Sequence, residues 1–483
     1  MKIQNKFIRL RFEHISMFCF ICLISITGCK KFVEVPLPVS TISGNAAFIT
    51  DQSSAAVLNN IYGSLASSGT FDSYQGIGIY SGLYADELTP ATSNQVMTAF
   101  YGDAVQSANT SIYWTRFYQQ IATTNVAIEQ IPLQAKLTHK NQWLGEAYFL
   151  RAFMYSYLVN LYGDVPLAIT SDYKVTNALA RAPKSDVYKQ IIADLKQAQS
   201  LLTDDYMDTR GSTTTDKGRP NKLTATALLA RTYLYTADYA DAEAQASVLI
   251  SNPNLKLTAL AQTFLANSDE TIWALAIEPT DLTPYEKDYA AYNDGTPTVI
   301  PAGKKLSTYV YVSLSPQMIK AFETGDQRFT TWSRPVTTTD APVTTYNLVN
   351  KYKSAVNGVE YIMIFRQAEQ YLIRAEARAM QNNLNGAKAD LDVVRTRAGL
   401  SGVTVSTQAN MLAAVLHERQ VEMFTELGAR LFDLRRSGTI DAVMGAVAPS
   451  KGSSWQSFMQ LWPISSQDIL TDPNLKQTPG YQP

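Results

Sequence analysis

Residues 140–163, KNQWLGEAYFLRAFMYSYLVNLYG, are apolar around almost the whole circumference of the helix that they predict. A helix without a broad polar face is buried on several sides, so other elements must pack around it. Gly163 and Pro166 mark its end, since glycine is favoured just past a helix and proline cannot continue one. This stretch therefore predicts the centre of a mainly helical fold.

Further segments show apolar residues at three- and four-residue spacing, which predicts more helices around the central one. These segments are the stretch that begins near Asp51, 113–131, 184–202, 363–382, 386–398 and 409–427. Two other regions break the helical pattern. Residues 67–111 are rich in Gly, Ser, Thr and Tyr and predict loop, and residues 252–360 hold prolines, threonines and short β-like runs.

Two later segments, 228–250 and 373–394, are alike at an offset of 145 residues. The aligned pairs are Ala230 with Ala375, Asp238 with Asn383, Tyr239 with Leu384, and Ala242 with Ala387. Each segment predicts a helix, a polar turn and a second helix, and so resembles the tetratricopeptide unit; two unrelated helical hairpins are the alternative. The predicted fold class is mainly α: a tetratricopeptide-like helical-hairpin scaffold, with repeats at about 113–250 and 363–436 and a large irregular loop-rich region at about 252–360 packed on it.

The first 28 residues have the pattern of a secretory signal peptide, with four basic side chains before a short apolar run. The run is too short to span a membrane, which takes about 20 apolar residues. It ends in ITGC (26–29), which resembles the lipobox of bacterial lipoproteins. That resemblance implies diacylation of the Cys29 sulfur, cleavage before Cys29 and acylation of the new amino group. Cys19 and Cys22 would leave with the signal, so Cys29 would have no partner for an internal disulfide.

Residues 29–45 contain two prolines and several small polar residues, which predicts a lipid-anchored tether before a single domain over 46–483. Cleavage would remove four of the 41 basic and one of the 42 acidic side chains, which leaves a net charge of about −4. That balance argues against a nucleic-acid partner, because nucleic acid requires a basic face.

The motifs that could indicate catalysis or a metal are incomplete. HERQV (417–421) begins like a zinc-binding helix, but valine stands where the second histidine is required, so we expect a helix surface. GIGIYSG (76–82) contains G-x-G but follows no predicted strand and opens no predicted helix. SDYK (171–174) fits S-x-x-K and lacks the companion motifs of that enzyme class. We therefore expect no catalytic residues, no metal site and no cofactor.

Several charged residues stand within apolar helices. Such charges usually pair with one another, because pairing offsets the cost of desolvation. They predict structural ion pairs between helices rather than an active site. They are Glu146, Arg151, Arg374, Glu376, Glu418, Arg419, Glu422, Glu426, Arg430, Asp433, Arg435 and Arg436.

Six segments resemble the SusD/RagB family and follow its order over nearly the whole mature chain. They are GEAYFLRAFMYSYLVNLYGDVPL (145–167), GRPNKLTATALLARTYLYTADYADA (218–242), FRQAEQYLIRAEARA (365–379), LDVVRTRAGL (391–400), ERQVEMFTELGARLFDLRRSG (418–438) and LWPISSQDILTDPNLKQTPGY (461–481). The lipobox followed by KKFVEVPLP (30–38) is also similar to the start of that family.

The resemblance implies a lipoprotein of the outer membrane that faces the cell exterior and is not an enzyme. It implies that the protein binds an oligosaccharide or polysaccharide and acts as a lid over a SusC-like TonB-dependent transporter. Two alternatives stay open. The first is the same role with a peptide as cargo, and the second, less favoured, is a surface glycoside hydrolase with an unrecognised carboxylate pair.

A sugar presents C–H faces that pack on aromatic rings, and its hydroxyls require polar partners. Binding residues are often on loops carried by a rigid scaffold. We therefore expect ligand contacts on two loops, 85–105 and 280–312. The candidate ligand-binding residues are Asp86, Glu87, Phe100, Tyr101, Tyr285, Tyr289 and Tyr292.

Overall fold

The structure is a computed structural model that describes residues 46–67, 69–71, 75–276, 297–354 and 356–482. The helices are α1 (Asp51–Ser67), α2 (Ile77–Tyr84), α3 (Gln95–Tyr101), α4 (Ser107–Gln130), α5 (Lys140–Tyr162), α6 (Tyr173–Thr176), α7 (Lys184–Leu201), α8 (Lys222–Tyr235), α9 (Tyr239–Ile250), α10 (Pro316–Ala321), α11 (Gln327–Trp332), α12 (Gln367–Met380), α13 (Leu384–Arg397), α14 (Gln408–Glu422), α15 (Ala429–Arg436), α16 (Ile440–Val447) and α17 (Ser466–Thr471). The chain from Phe48 onward forms one compact unit. Within the described ranges, no helix combines the length and the apolar character needed to cross a membrane.

Helix α5 lies at the centre of the fold, as its all-round apolar sequence predicts. It contacts α1, α4, α7 and α8. Every side chain from Phe149 to Tyr155 is buried. Gly163 follows the helix with a φ of +76°, a conformation that glycine adopts without strain. The helix is therefore core on most of its sides and ends where the sequence predicts.

The longer helices pack in sequence as an array of antiparallel hairpins. Successive contacts join α4 to α5, α5 to α7, α7 to α8, α8 to α9, α9 to α12, and α12 to both α13 and α14. Buried alanines lie at the crossings, for example Ala242 on α9 and Ala375 on α12. The predicted scaffold of tetratricopeptide-like hairpins is confirmed.

The two hairpins that align in sequence also have the same turn. Ala237 has a φ of +61°, and Asn382, at the equivalent position, has a φ of +62°. The next residue caps the second helix in each case: the Asp238 side chain accepts from the backbone N–H of Asp241, and the Asn383 side chain does the same from Gly386. This agreement supports a true structural repeat, because cap and turn geometry are matched residue for residue.

Short strands connect the irregular region to the helical array. They are β1 (Leu88–Pro90), β2 (Val165–Pro166), β3 (Arg181–Ala182), β4 (Tyr206–Met207), β5 (Thr213–Thr214), β6 (Thr271–Leu275), β7 (Val299–Ile300), β8 (Val312–Leu314), β9 (Ser333–Thr338), β10 (Thr345–Val349) and β11 (Ile362–Arg366). β6 pairs antiparallel with β11, β1 pairs antiparallel with β8, and β7, β9 and β10 form one small sheet. The segment expected to be helical from residue 363 therefore begins as a strand, because β6 supplies its backbone partners.

The expectation of loop over 67–111 is wrong, because α2, α3 and the start of α4 lie there. All residues of α2 are buried. A Cβ atom on Gly78 would lie 2.9 Å from the carbonyl oxygen of Thr425, so glycine here permits close packing of a helix rather than a loop. Gly76 is the N-cap of α2. The G-x-G motif does open a helix, contrary to the sequence-based expectation.

The C-terminal segment 455–482 returns to the N-terminal helices. The Thr110 hydroxyl donates to the carbonyl oxygen of Pro463 at 2.7 Å. The backbone N–H of Trp462 donates to the carbonyl oxygen of Leu161 at 2.8 Å. The end of the chain is therefore built into the packing of α4 and α5.

A cluster of buried charges, here called the arginine–glutamate cluster, joins the second hairpin to the irregular region. Its members are Asp326, Arg328, Lys351, Arg366, Arg397, Glu270, Glu418, Glu422 and Glu426. The Glu422 carboxylate accepts from Arg328 at 2.9 Å, from Arg366 at 2.5 Å and from Arg397. Burial acts to raise the pKa of Glu422, but the three guanidinium groups outweigh it and hold the pKa well below its usual range.

The other charges predicted from the apolar helices are also paired, so that prediction is confirmed. The pairs are Glu146 with Arg219, Arg151 with Asp194, Arg374 with Asp390, Glu376 with Arg436, Arg419 with Asp433, and Arg430 with Asp86. Arg435 instead donates to the Asn160 side chain at 2.8 Å. In HERQV, Glu418 and Val421 are buried, so the expectation that this segment is a helix surface is wrong.

We predict that Arg366→Leu lowers the free energy of unfolding by about 3–5 kcal/mol, because Glu422 and Glu426 would lose a partner within the core. Denaturant titration would measure the change. Lys189→Ala is the matched control, since Lys189 and Asp186 form an ion pair whose lysine side chain is 77% exposed; its cost should stay below about 1 kcal/mol. Equal costs for the two variants would show that the cluster does not stabilise the fold.

Candidate functional site

Asp86 and Glu87 lie in the turn between α2 and β1, and both side chains are buried. Asp86 forms a two-pronged ion pair with Arg430, with N···O distances of 2.8 and 2.6 Å. Glu87 accepts from the backbone N–H of Thr425 at 3.2 Å. Burial, and then the neighbouring Asp86 carboxylate, raise the pKa of Glu87 to about 8. We therefore assign both acids to the support of this region rather than to direct ligand contact.

Phe100 is fully buried in an aromatic cluster. Its ring stacks on Tyr80 with a centroid distance of 4.4 Å and meets Trp462 edge-on at 5.1 Å. These neighbours leave no face of the ring for a sugar, so Phe100 also belongs to the support.

Tyr101, the last residue of α3, is the candidate in the 85–105 segment that is partly exposed. The Lys451 ammonium lies 5.3 Å from the centre of this ring. Trp455, also partly exposed, meets the Tyr84 ring edge-on at 5.8 Å, and its indole N–H donates to Asp441 at 2.8 Å. We call Tyr101, Lys451 and Trp455, with their polar neighbours Asp103 and Ser453, the aromatic surface.

A buried ion pair holds the aromatic surface in place. Asp103 has a φ of +55°, and its carboxylate accepts from the Ser453 hydroxyl at 2.6 Å. The Lys451 ammonium lies 3.8 Å from the same carboxylate and donates to the carbonyl oxygens of Leu83 and Tyr84 at 2.9 Å each. Burial lowers the pKa of Lys451 to about 8 and raises the pKa of Asp103. The pair therefore fixes the position of the lysine under the Tyr101 ring.

The second predicted loop is described only in part. Tyr285, Tyr289 and Tyr292 lie outside the described residues, as do Cys29 and the tether 29–45. Strand pairing between β1 and β8 brings the described end of this segment next to the first loop, and the backbone N–H of Ala91 donates to the carbonyl oxygen of Tyr311 at 2.8 Å. The structure therefore joins the two stretches of chain that the sequence selected separately.

A second concave surface, which we call the α4 groove, lies between α4, the 166–177 segment and α17. Its volume is about 520 Å³. The residues that line it include Trp114, Ile121, Ala168, Tyr173, Asp468 and Asp472. Over the described ranges, no group of three or more His, Cys, Asp or Glu side chains is arranged to hold a metal ion.

The sequence-based selection missed Trp455 and the whole α4 groove. Trp455 stands in SKGSSWQS (450–457), a non-helical stretch of small polar residues, and the criterion applied to the other loops would have found it. The groove gave no such signal, because three distant segments contribute its walls.

The array of helical hairpins carries the aromatic surface, which the end of α3 and the segment 451–455 build, and so defines a helical scaffold protein that presents short and irregular elements. Comparison with known proteins narrows this class. A family profile described as "Starch-binding associating with outer membrane" (SusD-like) matches residues 43–234, and the profile of the SusD family matches residues 343–481. The chain belongs to the SusD/RagB family.

Individual relatives agree with this assignment. SusD-like protein P2 of Formosa agariphila is 30% identical over 243 residues, which span 48% of this chain and 45% of P2. The match thus spans less than half the length of that relative. Two solved structures share the fold: a laminarin binding SusD-like protein (22% identity, TM-score 0.71) and surface glycan-binding protein A from Bacteroides uniformis (22% identity, TM-score 0.72). Each structural match covers 89% of this chain and 99% of the other.

We predict that Glu87→Gln stabilises the protein increasingly as the pH rises. The folded state raises the pKa of Glu87 from 4.5 to about 8, so between these values it holds a proton that the unfolded chain has lost. Wild-type stability therefore falls across this window, and the glutamine variant avoids that loss. The gain should reach on the order of 4 kcal/mol at pH 8. Unfolding curves at pH 5 and pH 8 that differ by the same amount for the two proteins would contradict this.

Proposed function

We propose that this protein is a lipid-anchored protein of the outer membrane that captures an oligosaccharide at the cell surface and delivers it to a SusC-like TonB-dependent transporter. Membership of the SusD/RagB family is the observation that carries the proposal, since one matching profile is described as starch-binding and outer-membrane-associating. Of two proteins with the same fold, one is described as laminarin binding and the other as a surface glycan-binding protein, and we extend that ligand class to this chain. The proposal includes no catalytic step.

The aromatic surface is the place where we propose that the glycan binds. The partly exposed rings of Tyr101 and Trp455 could pack on the C–H faces of sugar units. The Ser453 hydroxyl and the Lys451 ammonium lie beside those rings, but they are bound to Asp103 and to the carbonyl oxygens of Leu83 and Tyr84, so they support the rings rather than contact the sugar. Because the Asp103–Lys451 pair and the Phe100 cluster fix this surface, its side chains would lose little conformational freedom when a ligand binds.

Anchoring through Cys29 explains how such a protein would stay at the membrane. A single acyl chain gives only marginal membrane binding, so stable attachment takes about two lipid signals. The diacylated sulfur and the acylated amino group expected at Cys29 meet that requirement.

We predict that Tyr101→Ala weakens binding of a glycan about 2- to 10-fold, the equivalent of the 0.5–1.5 kcal/mol of an aromatic contact. Isothermal titration with laminari- and malto-oligosaccharides would measure it, and a peptide library run in parallel would test the alternative cargo. Binding of peptides without any binding of oligosaccharides would contradict the glycan proposal.

Tyr155→Ala is the matched control for Tyr101→Ala. The Tyr155 ring is fully buried, and its hydroxyl donates to the carbonyl oxygen of Ala168 at 3.0 Å. Its removal should lower the free energy of unfolding by about 3–5 kcal/mol through the cavity that it leaves. The Tyr101 variant should melt close to the wild type. If Tyr101→Ala unfolds early and binds normally, Tyr101 is a packing residue.

We predict that Cys29→Ser abolishes labelling by palmitate and releases the protein from the membrane, because the sulfur that carries the diacyl group is lost. Labelling of cells that make either form would measure this. In the same preparation, the wild type should co-purify with a large outer-membrane barrel in mild detergent. An unlabelled wild type would disprove the anchor, and a labelled wild type that is always recovered alone would disprove the transporter partnership.

A further inference from the structure

The α4 groove has the size and the rigidity of a ligand site. Its volume of about 520 Å³ lies in the range of about 300–1,000 Å³ that is usual for ligand pockets. Buried polar contacts fix its loop wall: the Asn125 amide donates to the carbonyl oxygens of Ala168 and Thr170 at 3.0 Å each. Glu129 accepts from the backbone N–H of Ser171 at 2.8 Å. The groove is therefore formed before any ligand arrives.

The charged side chains that line the groove, among the described residues, are the acids Asp468 and Asp472. One Asp472 oxygen accepts from the backbone N–H of Asn474 at 2.9 Å. Asp468 on α17 is partly buried and lines the groove together with Tyr118. Carboxylates accept hydrogen bonds from hydroxyl groups and repel anions. This lining suits a neutral ligand rich in hydroxyls and disfavours an acidic one.

An exposed aromatic ring completes the groove. Tyr173 on α6 lines the groove and is 65% exposed. Trp114 in the floor is already packed on Tyr118 and Tyr162, with centroid distances of 4.9 and 5.0 Å. The Tyr173 ring therefore offers the surface on which the C–H face of a sugar could pack.

We propose that the α4 groove is a second carbohydrate site, separate from the aromatic surface, that takes a neutral oligosaccharide. The ligand class rests on the proposed function, whereas the position and the preference for a neutral chain rest on the groove itself. Two sites on one chain would hold a long glycan at two points, so that binding at one raises the effective concentration at the other.

Isothermal titration of the purified protein with maltoheptaose, laminariheptaose and the anionic trigalacturonate tests this proposal. We expect two classes of site for a neutral heptaose in the wild type. Tyr173→Ala and Asp468→Ala should each weaken one class about 2- to 10-fold and leave the melting temperature unchanged. Tyr239→Ala removes a partly exposed ring outside the groove and is the control, with binding as in the wild type. Trigalacturonate should show no binding that depends on Tyr173.

The outcomes separate the groove from the proposed function. If the wild type binds a neutral heptaose and both groove variants bind it equally well, the groove is not a carbohydrate site and the proposed function stands. If the wild type binds neither heptaose, the proposed function fails together with the groove. Binding of tetralysine that is lost in Asp468→Ala, with sugar binding unchanged, would identify the groove as a surface for basic peptides and overturn the proposal. Two variants in different walls keep the test decisive if one fails to fold.

Discussion

The Glu422 carboxylate, held by three arginines from three parts of the chain, is the constraint on which the rest of the fold depends. Arg328 comes from α11, Arg366 from the end of β11 and Arg397 from the end of α13. A buried carboxylate is costly unless it is paired, so these elements must meet at this point or the chain leaves a charge unpaired in its core. The Trp332 indole adds a second restraint, since Lys351, Arg366 and Arg397 all lie within 6 Å of its ring. Both restraints act between the regular hairpins and the irregular region, and so they fix where the irregular region sits.

The aromatic surface and the α4 groove are built alike, with buried side chains that hold the site in place and aromatic rings that remain exposed. Around Tyr101, the acids and the phenylalanine contact partners within the protein: Asp86 pairs with Arg430, Glu87 accepts from a backbone N–H, and Phe100 packs on neighbouring rings. Around the α4 groove, Asn125 and Glu129 form hydrogen bonds with the 166–177 segment and hold it in place. The rings that remain at least partly exposed are Tyr101 and Trp455 in the aromatic surface and Tyr173 in the α4 groove. This arrangement favours binding of a neutral, flexible chain such as a glycan, because the side chains of the protein lose little conformational entropy when the ligand binds.

The long helices could be predicted from the sequence because their apolar spacing extends over several turns, as in α5 and α7. The buried ion pairs could also be predicted, since charges within an apolar helix have few other outcomes. Shorter elements could not be predicted. Helix α2 has only eight residues, two of them glycine, and because all eight are buried its sequence shows no helical alternation of apolar and polar residues. Burial of Asp86 and Phe100 depends on Arg430 and Trp462, more than 300 residues away, and spacing along the chain does not encode such contacts. The α4 groove could not be predicted for the same reason, since α4, the 166–177 segment and α17 come together only in the folded protein.

The return of the C-terminal segment to α4 and α5 has a consequence for the biogenesis of the protein. Partners such as Thr110 with Pro463, and Leu161 with Trp462, are separated by 353 and 301 residues, so α4 and α5 cannot complete their packing until the 455–482 segment is available. Contacts of such wide separation make folding slow and late. Because synthesis starts at the N-terminus, α4 and α5 are made long before these last packing partners, and their core can close only when the 455–482 segment follows. Late closure of the core is therefore a property of the contact pattern of the chain itself.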